Sequence, residues 1–233
     1  MILYVNGDSH TAAAEAVNPY AFAGDDGKLE YLNRLPHPNN LAVSWGKQLA
    51  NALKTVFECG AESASSNTRI LRTTRKWLAE HKDQDKLVII QWSTWEREEW
   101  LIDGTYYQVN GSGIDIVPKE YQLKYKEYVA LLNWQKKTEE AHNQIWDFHQ
   151  ELLNQKVPHI FFNGNNNDFS RITDRKDWGA NYIGPYDTTM TFDSIIRSAG
   201  IETVTPKSYH FGPDGHNQWF RYILNHVIQH KFI

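Results

Sequence analysis

The sequence has little cysteine: Cys59 is the single one among 233 residues. One cysteine excludes an intrachain disulfide, and its position in a predicted strand favours a buried, unreactive thiol. No apolar run approaches the length of a transmembrane helix, and no secretory signal precedes the first predicted strand. We therefore predict a cytoplasmic protein that does not enter the membrane, with export of a processed form left open.

Excess positive charge is also missing. The formal net charge is −4, from 24 Lys and Arg against 28 Asp and Glu, so no general field attracts nucleic acid. The Gly-x-Gly-x-x-Gly loop is absent after every predicted strand, which argues against a dinucleotide cofactor. His142 and His149 lie seven residues apart in a predicted helix without evident partners for a metal site. We expect no nucleic-acid partner, no cofactor and no metal.

What the sequence does contain is an alternation of apolar and helical segments. Five apolar segments, separated by helical patterns, predict a five-stranded parallel sheet in three α/β/α layers. They lie at 2–5, 55–61, 86–92, 157–162 and 201–204. Nothing in the sequence divides the chain, so we predict one domain over 1–233. Three irregular insertions, expected to flank a cleft, lie near 10–40, 98–117 and 165–188.

Ser9 stands at the most informative position. The apolar residues before it stop at Asn6-Gly7, and an Ala-rich stretch favourable to a helix follows. A polar residue on such a strand–turn–helix junction lies at the carboxyl edge of a parallel sheet, where α/β proteins bind ligands. Ser9 is therefore a candidate nucleophile. The alternative is an ordinary turn in which Asp8 or Ser9 caps the next helix.

Three further segments are predicted to reach the same edge of the sheet. Residues 62–70 form a small-residue turn that runs into a helix, which suits either an anion site or a plain N-cap. Residues 93–97 are a polar cluster after the third strand. Residues 209–216 lead into the last helix and contain two histidines, His210 and His216.

Gly7-Asp8-Ser9 near the start and His216 before the last helix resemble the SGNH, or GDSL, hydrolase family. Residues 44–45, 66–70 and 215–219 are similar to a branch of GDSL-like lipases of phage and bacterial genomes. The resemblance implies a flavodoxin-like three-layer fold and a serine ester hydrolase without cofactor. It implies that Ser9 is the nucleophile, His216 the base and Asp214 the residue that orients the base, with His210 as the alternative base.

The chain departs from the family pattern in three blocks. Ala64 or Ser65 replaces the family's second glycine, whose backbone N–H serves the oxyanion hole. The family's third-block Asn is missing, so its donor would come from Thr94, Arg97 or elsewhere, and Asn67 completes the predicted substrate-binding set. The family's Asp precedes its His by three positions, whereas Asp214 precedes His216 by two and equally suits a helix cap.

We therefore predict a hydrolase for O-acyl esters, with a small molecule or an O-acetylated carbohydrate as substrate, acting through an acyl-enzyme. Acyl transfer to another acceptor would use the same residues. The alternative from another class is a non-catalytic glycan-binding or structural module on an esterase-like fold, which the missing Asn and the displaced Asp favour.

Overall fold

A parallel sheet forms the centre of the protein. The computed structural model describes residues 1–23, 34–111, 113, 117–165 and 167–233. Four parallel strands are hydrogen-bonded in the order β2-β1-β3-β6, where β1 is Ile2–Asn6, β2 Val56–Cys59, β3 Lys86–Trp92 and β6 His159–Asn163. Every residue of β1, β3 and β6 is buried, as continuous apolar runs in parallel sheets require.

Seven α-helices accompany the sheet in the described residues: α1 (Pro38–Ala42), α2 (Trp45–Leu53), α3 (Asn67–Glu80), α4 (Gln122–Ala130), α5 (Trp134–Asn154), α6 (Phe192–Ser198) and α7 (Pro213–Gln229). Alternate side chains of the strands point into two separate cores. Tyr4 and Val88 pack with α3 and α5, whereas Leu3 and Leu87 pack with α2, α6 and α7. This arrangement confirms the predicted three-layer α/β/α class.

The strand prediction needs two corrections. Residues 201–204 do not extend the sheet as a fifth strand; Thr203 makes an isolated antiparallel bridge to Phe211. Insertion 98–117, predicted to be irregular, contains an antiparallel hairpin of β4 (Glu98–Ile102) and β5 (Thr105–Val109). Its two-residue turn has positive φ at both Asp103 (48°) and Gly104 (80°), the conformation that Asp-Gly favours between paired strands.

Side chains cap several of the helices. Residues 119–154 form a 3₁₀ turn (Lys119–Tyr121) followed by α4 and α5, and Asn133 caps α5 by accepting from the Lys136 N–H at 2.9 Å. His37 caps α1 and Ser44 caps α2. Insertion 10–40 falls partly outside the described residues, which omit 24–33.

Cys59 lies in β2 as predicted, and burial raises the pKa of its thiol to about 11, so the thiol is protonated near neutral pH. None of the helices in the described ranges has the length and apolar character needed to cross a membrane.

The packing of α7 predicts a contrast between two isoleucines. Ile223 is fully buried in the core shared with α2, whereas Ile228 on the same helix is 61% exposed. Ile223→Ala should lower the free energy of unfolding by about 2–5 kcal/mol, because it leaves a cavity in a packed core. Ile228→Ala, the matched control, should change it by about 0.5 kcal/mol or less. Urea unfolding midpoints measure both, and equal losses would contradict the assigned core.

Candidate active site

The predicted site lies at the carboxyl edge of the sheet, where β1, β3 and β6 end. Gly7 and Gly164 follow β1 and β6, and both pack against the side chain of Gln91 in β3 between them. A Cβ at Gly7 would lie 3.0 Å from Gln91 Oε1, and one at Gly164 would lie 1.9 Å from Gln91 Nε2. The two glycines therefore let the turns after β1 and β6 approach each other closely over β3.

Asp8 holds this edge together. Its side chain is fully buried and accepts hydrogen bonds from Gln91 Nε2 (2.7 Å), Ser93 Oγ (2.9 Å) and Arg97 Nη1 (3.1 Å). It also accepts from the His10 N–H at 3.0 Å. Burial by itself raises the pKa of the Asp8 carboxyl. Its neighbours His10, Arg97 and Gln91 outweigh that effect and lower the pKa below its ordinary value.

Ser9 follows directly and lies at the edge that the sequence predicted. Its side chain is 9% exposed, and neither its hydroxyl nor its N–H has a hydrogen-bond partner among the described residues. The Ala-rich stretch after it forms consecutive turns rather than the expected helix. Two residues of these turns have left-handed backbone, Ala13 at φ 54° and Glu15 at φ 63°. Non-glycine residues in this region are uncommon and concentrate at functional sites.

Glu15 contacts His210. The Nδ1 atom of His210 lies 2.9 Å from Glu15 Oε2, and Ser208 Oγ donates to the same oxygen at 2.5 Å. A neutral imidazole that donates from Nδ1 keeps the lone pair on Nε2, and that atom has no partner in the described residues. The His210 ring lies 5.4 Å from the ring of His10, next to Ser9 in the chain. His210 therefore has the geometry of a base held by a carboxylate.

His216, the predicted base, lies deeper. It is 2% exposed, and its Nδ1 accepts a 3.4 Å hydrogen bond from the N–H of Trp45, the first residue of α2. Burial lowers its pKa to about 3. A neutral imidazole accepting at Nδ1 carries its proton on Nε2, which is then unable to take another. The geometry thus gives His216 a structural contact at the start of α2.

Asp214 is not brought to His216. Its side chain is exposed in the first turn of α7, and it has no hydrogen bond or ion pair in the described part of the chain. It is not the helix cap either, because Gly212 occupies the N-cap position. The family spacing also fails for His210, since Lys207 stands three positions before it. The carboxylate at this site comes instead from Glu15, which sequence reasoning missed because 195 residues separate it from His210.

The predicted oxyanion residues divide into free and occupied groups. The Ala64 N–H has no partner among described atoms, and Ala64 has the left-handed φ of 64° that favours the family's glycine. The Ser65 N–H donates to the Glu62 carbonyl at 3.1 Å. A 3.3 Å hydrogen bond from the Glu62 N–H to the Gly7 carbonyl ties this loop to the turn that carries Ser9.

The other three predicted residues have their side chains occupied. Asn67 bonds both backbone groups of Ser93, at 2.8 and 3.1 Å. The hydroxyl of Thr94 donates to Glu96 at 2.9 Å. Arg97 pairs with Asp8 and donates to Ser93 Oγ at 2.8 Å. These contacts therefore tie Asn67, Thr94 and Arg97 to the turn after β3 and to Asp8.

A cavity of about 460 Å³ adjoins the site. It is bounded by residues from five segments of the chain: Thr94, Trp134, Asn165, Asn167, Asp193, Arg197 and Tyr209. A second cavity of about 520 Å³ shares Trp134 and Asn167 with it. A larger cavity of about 620 Å³ lies by Lys86, at the opposite end of the sheet, and contains none of the predicted site residues. Within the described ranges, no three His, Cys, Asp or Glu side chains are grouped to hold a metal ion.

The protein is thus of the α/β class, and polar side chains lie together at the carboxyl ends of its parallel strands. The chain belongs to DUF6071, a family of unknown function whose model matches residues 33–182. Ser9, Glu15 and His210 all lie outside the matched region. No curated protein matches the chain.

Two solved structures are similar to the chain at low identity. An acetyl xylan esterase from the rumen bacterium Butyrivibrio proteoclasticus is 13% identical with a TM-score of 0.47; the match covers 100% of this chain and 65% of that one. A protein described as lipolytic and of the G-D-S-L family, from Desulfitobacterium hafniense, is 12% identical with a TM-score of 0.38, covering 97% and 98%. The chain thus spans just under two thirds of the length of the first.

The Asp8 network predicts a pH-dependent loss of stability. Asp8→Asn should lower the free energy of unfolding by about 3 kcal/mol at neutral pH, because an amide N–H would face donors and Arg97 would lose its counter-charge. The Asp8 pKa is lowered by folding, so its stabilisation is complete above the unfolded pKa of about 3.9 and is lost as the pH falls through the folded pKa. The difference between wild type and variant should therefore shrink below about pH 4.

Chemical unfolding between pH 2.5 and pH 7 measures this difference. Asp83→Asn, at an exposed position before β3, is the control and should leave stability unchanged at every pH. A pH-independent difference for Asp8→Asn would contradict the role of its charge.

Proposed function

We propose that the protein is a serine hydrolase of O-acyl esters, with Ser9 as nucleophile and His210 as base. The observation that carries the proposal is the Glu15–His210 contact of 2.9 Å, with the His210 ring 5.4 Å from the ring of His10. His10 is the residue after Ser9, whose hydroxyl has no hydrogen-bond partner among the described residues. A serine hydroxyl is a weak nucleophile and needs an adjacent base whose orientation is fixed by a third group. The earlier assignment of His216 and Asp214 stays an untested prediction, and the geometry supports His210 and Glu15 better.

In the proposed reaction Ser9 Oγ attacks the ester carbonyl carbon while His210 Nε2 takes the hydroxyl proton. The tetrahedral intermediate expels the alcohol, which receives that proton from His210, and the acyl group stays on Ser9. Water then attacks the acyl carbon and gives a proton to His210. Collapse releases the acid and returns the proton to Ser9.

Glu15 has the properties of a residue that orients the base. Its hydrogen bond from His210, opposed by partial burial and assisted by Ser208, lowers the pKa of its carboxyl, so it is ionised near neutral pH. An ionised carboxylate at Nδ1 fixes the imidazole tautomer and stabilises the imidazolium that forms during the reaction. The hydroxyl oxygen of Ser208 in turn accepts a 3.0 Å hydrogen bond from the backbone N–H of His210, which fixes the backbone that carries the ring.

The adjoining cavity favours a carbohydrate ester as substrate. Its rim carries two exposed aromatic side chains, Trp134 (53%) and Tyr209 (79%), and its wall carries the amides of Asn165 and Asn167. Aromatic faces with a few convergent polar groups suit a ligand with both apolar and hydroxyl-bearing faces. We propose an O-acetylated sugar. A glycan-binding module without chemistry would use the same cavity but would not need a reactive Ser9.

Labelling with a fluorophosphonate probe, read by intact mass, tests the proposal. Wild type should acquire one adduct, Ser9→Ala none, and His210→Ala should label at least about 100-fold more slowly, because the base is lost. His216→Ala provides the comparison: once its folding is verified by unfolding midpoint, it should label faster than His210→Ala. Folded wild type without an adduct would contradict the hydrolase and support the binding module.

The role of Glu15 gives a separate prediction. Glu15→Gln should lower kcat on p-nitrophenyl acetate by about 10²–10⁴-fold, because an amide can donate to Nδ1 and select the wrong tautomer. KM should change little, since Glu15 does not line the cavity proposed for the substrate. Glu202→Gln, at an exposed position in the segment that precedes His210, is the control. An unchanged kcat for Glu15→Gln would show that another group orients the base.

A further inference from the structure

We propose that the side-chain amide of Asn165, oriented by His10, is the oxyanion donor that replaces the missing third-block Asn. The inference rests on the proposed function of the same site. Asn165 follows β6 rather than β3, so the order of sequence blocks does not identify it. The geometry does, because His10 Nε2 lies 2.7 Å from Asn165 Oδ1 and Asn165 lines the adjoining cavity.

The contact with His10 determines which end of the amide is available. The Nδ1 atom of His10 is buried and has no partner among the described residues. Burying an N–H without an acceptor costs more free energy than burying a nitrogen lone pair without a donor. The ring proton of His10 therefore belongs on Nε2, which donates it to Asn165 Oδ1. Burial also lowers the pKa of His10, which keeps the ring neutral with a single proton. The Nδ2 group of Asn165 then keeps both N–H donors for a ligand, since it has no partner among the described residues.

Two features place this amide near the turn that carries Ser9. Gly164 permits the turn after β6 to approach the turn after β1 closely. His10, which contacts Asn165, is the residue that follows Ser9 in the chain. Gln91, Asn67 and Thr94 at this edge already donate to Asp8, Ser93 and Glu96, and Arg97 Nη1 donates to Asp8. Together with the N–H groups of Ser9 and Ala64, the Asn165 amide makes a third donor for the negative oxygen of the tetrahedral intermediate.

His10 is a positioning residue in this account, because it acts through Asn165. Its ring packs 5.3 Å from Phe192 and is 5% exposed. His10→Phe keeps an aromatic ring there and removes only the N–H that holds the amide. His10→Gln retains a donor and should recover part of the activity that His10→Phe loses.

The test is steady-state hydrolysis of p-nitrophenyl acetate by the full chain. Asn165→Ala should lower kcat by about 10²–10³-fold, because one donor to the transition state is lost. KM should change less than threefold, as a donor to the transition state alone does little for ground-state binding. Asn225→Ala, the same change on the exposed face of α7, is the control and should match wild type. The double variant His10→Phe/Asn165→Ala should be no slower than Asn165→Ala, because both changes remove one interaction.

The outcomes separate the two proposals. If wild type labels at Ser9 and hydrolyses the ester while Asn165→Ala keeps its full kcat, the donor assignment is overturned and the hydrolase stands. If the two single losses add in the double variant, the positioning role of His10 is overturned. If wild type neither labels nor hydrolyses, the hydrolase is overturned and the donor assignment falls with it. Unfolding midpoints within a few degrees of wild type are required of each variant.

Discussion

The buried carboxylate of Asp8 is the interaction on which the candidate site depends. A fully buried charge is tolerated only when donors and a counter-charge surround it, and Asp8 has Gln91, Ser93 and Arg97 around it. These partners come from β3 and the turn after it, whereas Asp8 belongs to the turn after β1. The hydrogen bond to the His10 N–H passes across Ser9. The ionised carboxylate of Asp8 therefore fixes the turn on which Ser9 lies.

The same arrangement explains why glycine stands at both flanking turns. Gln91 donates to Asp8 with its amide and accepts from Thr11 Oγ1 at 2.7 Å, so its side chain must lie flat over the ends of β1 and β6. There is then no room for a Cβ at Gly7 or Gly164. The amide of Gln91 and the two glycines form one packing unit. The turn that carries Ser9 and the turn that carries Asn165 are thereby held together.

Local sequence patterns predicted the central strands, but not the side-chain contacts at the candidate site. The buried strands β1, β3 and β6 and the position of Ser9 follow from apolar runs and from the rule that ligands bind at carboxyl ends. The hairpin in 98–117 was missed although Asp103-Gly104 is a good turn signal, because its strands are short and mixed in polarity. Arg97 and Thr94 were predicted as donors to a ligand. Their commitment to Asp8 and Glu96 depends on side-chain directions that no spacing reveals.

The contact between Glu15 and His210 was beyond sequence reasoning for a different reason. A helix over the Ala-rich stretch was the natural prediction, and in a regular helix Glu15 would have φ near −63°. The observed turns instead place Ala13 and Glu15 in left-handed backbone, which costs about 1–2 kcal/mol for each residue. Local propensity opposes this conformation, so long-range contacts must stabilise it. The hydrogen bonds of Glu15 with His210 and Ser208 are among these contacts, as is the hydrogen bond of Thr11 with Gln91. Backbone strain of this kind is found most often at functional sites, which is the reason to test Glu15 by substitution.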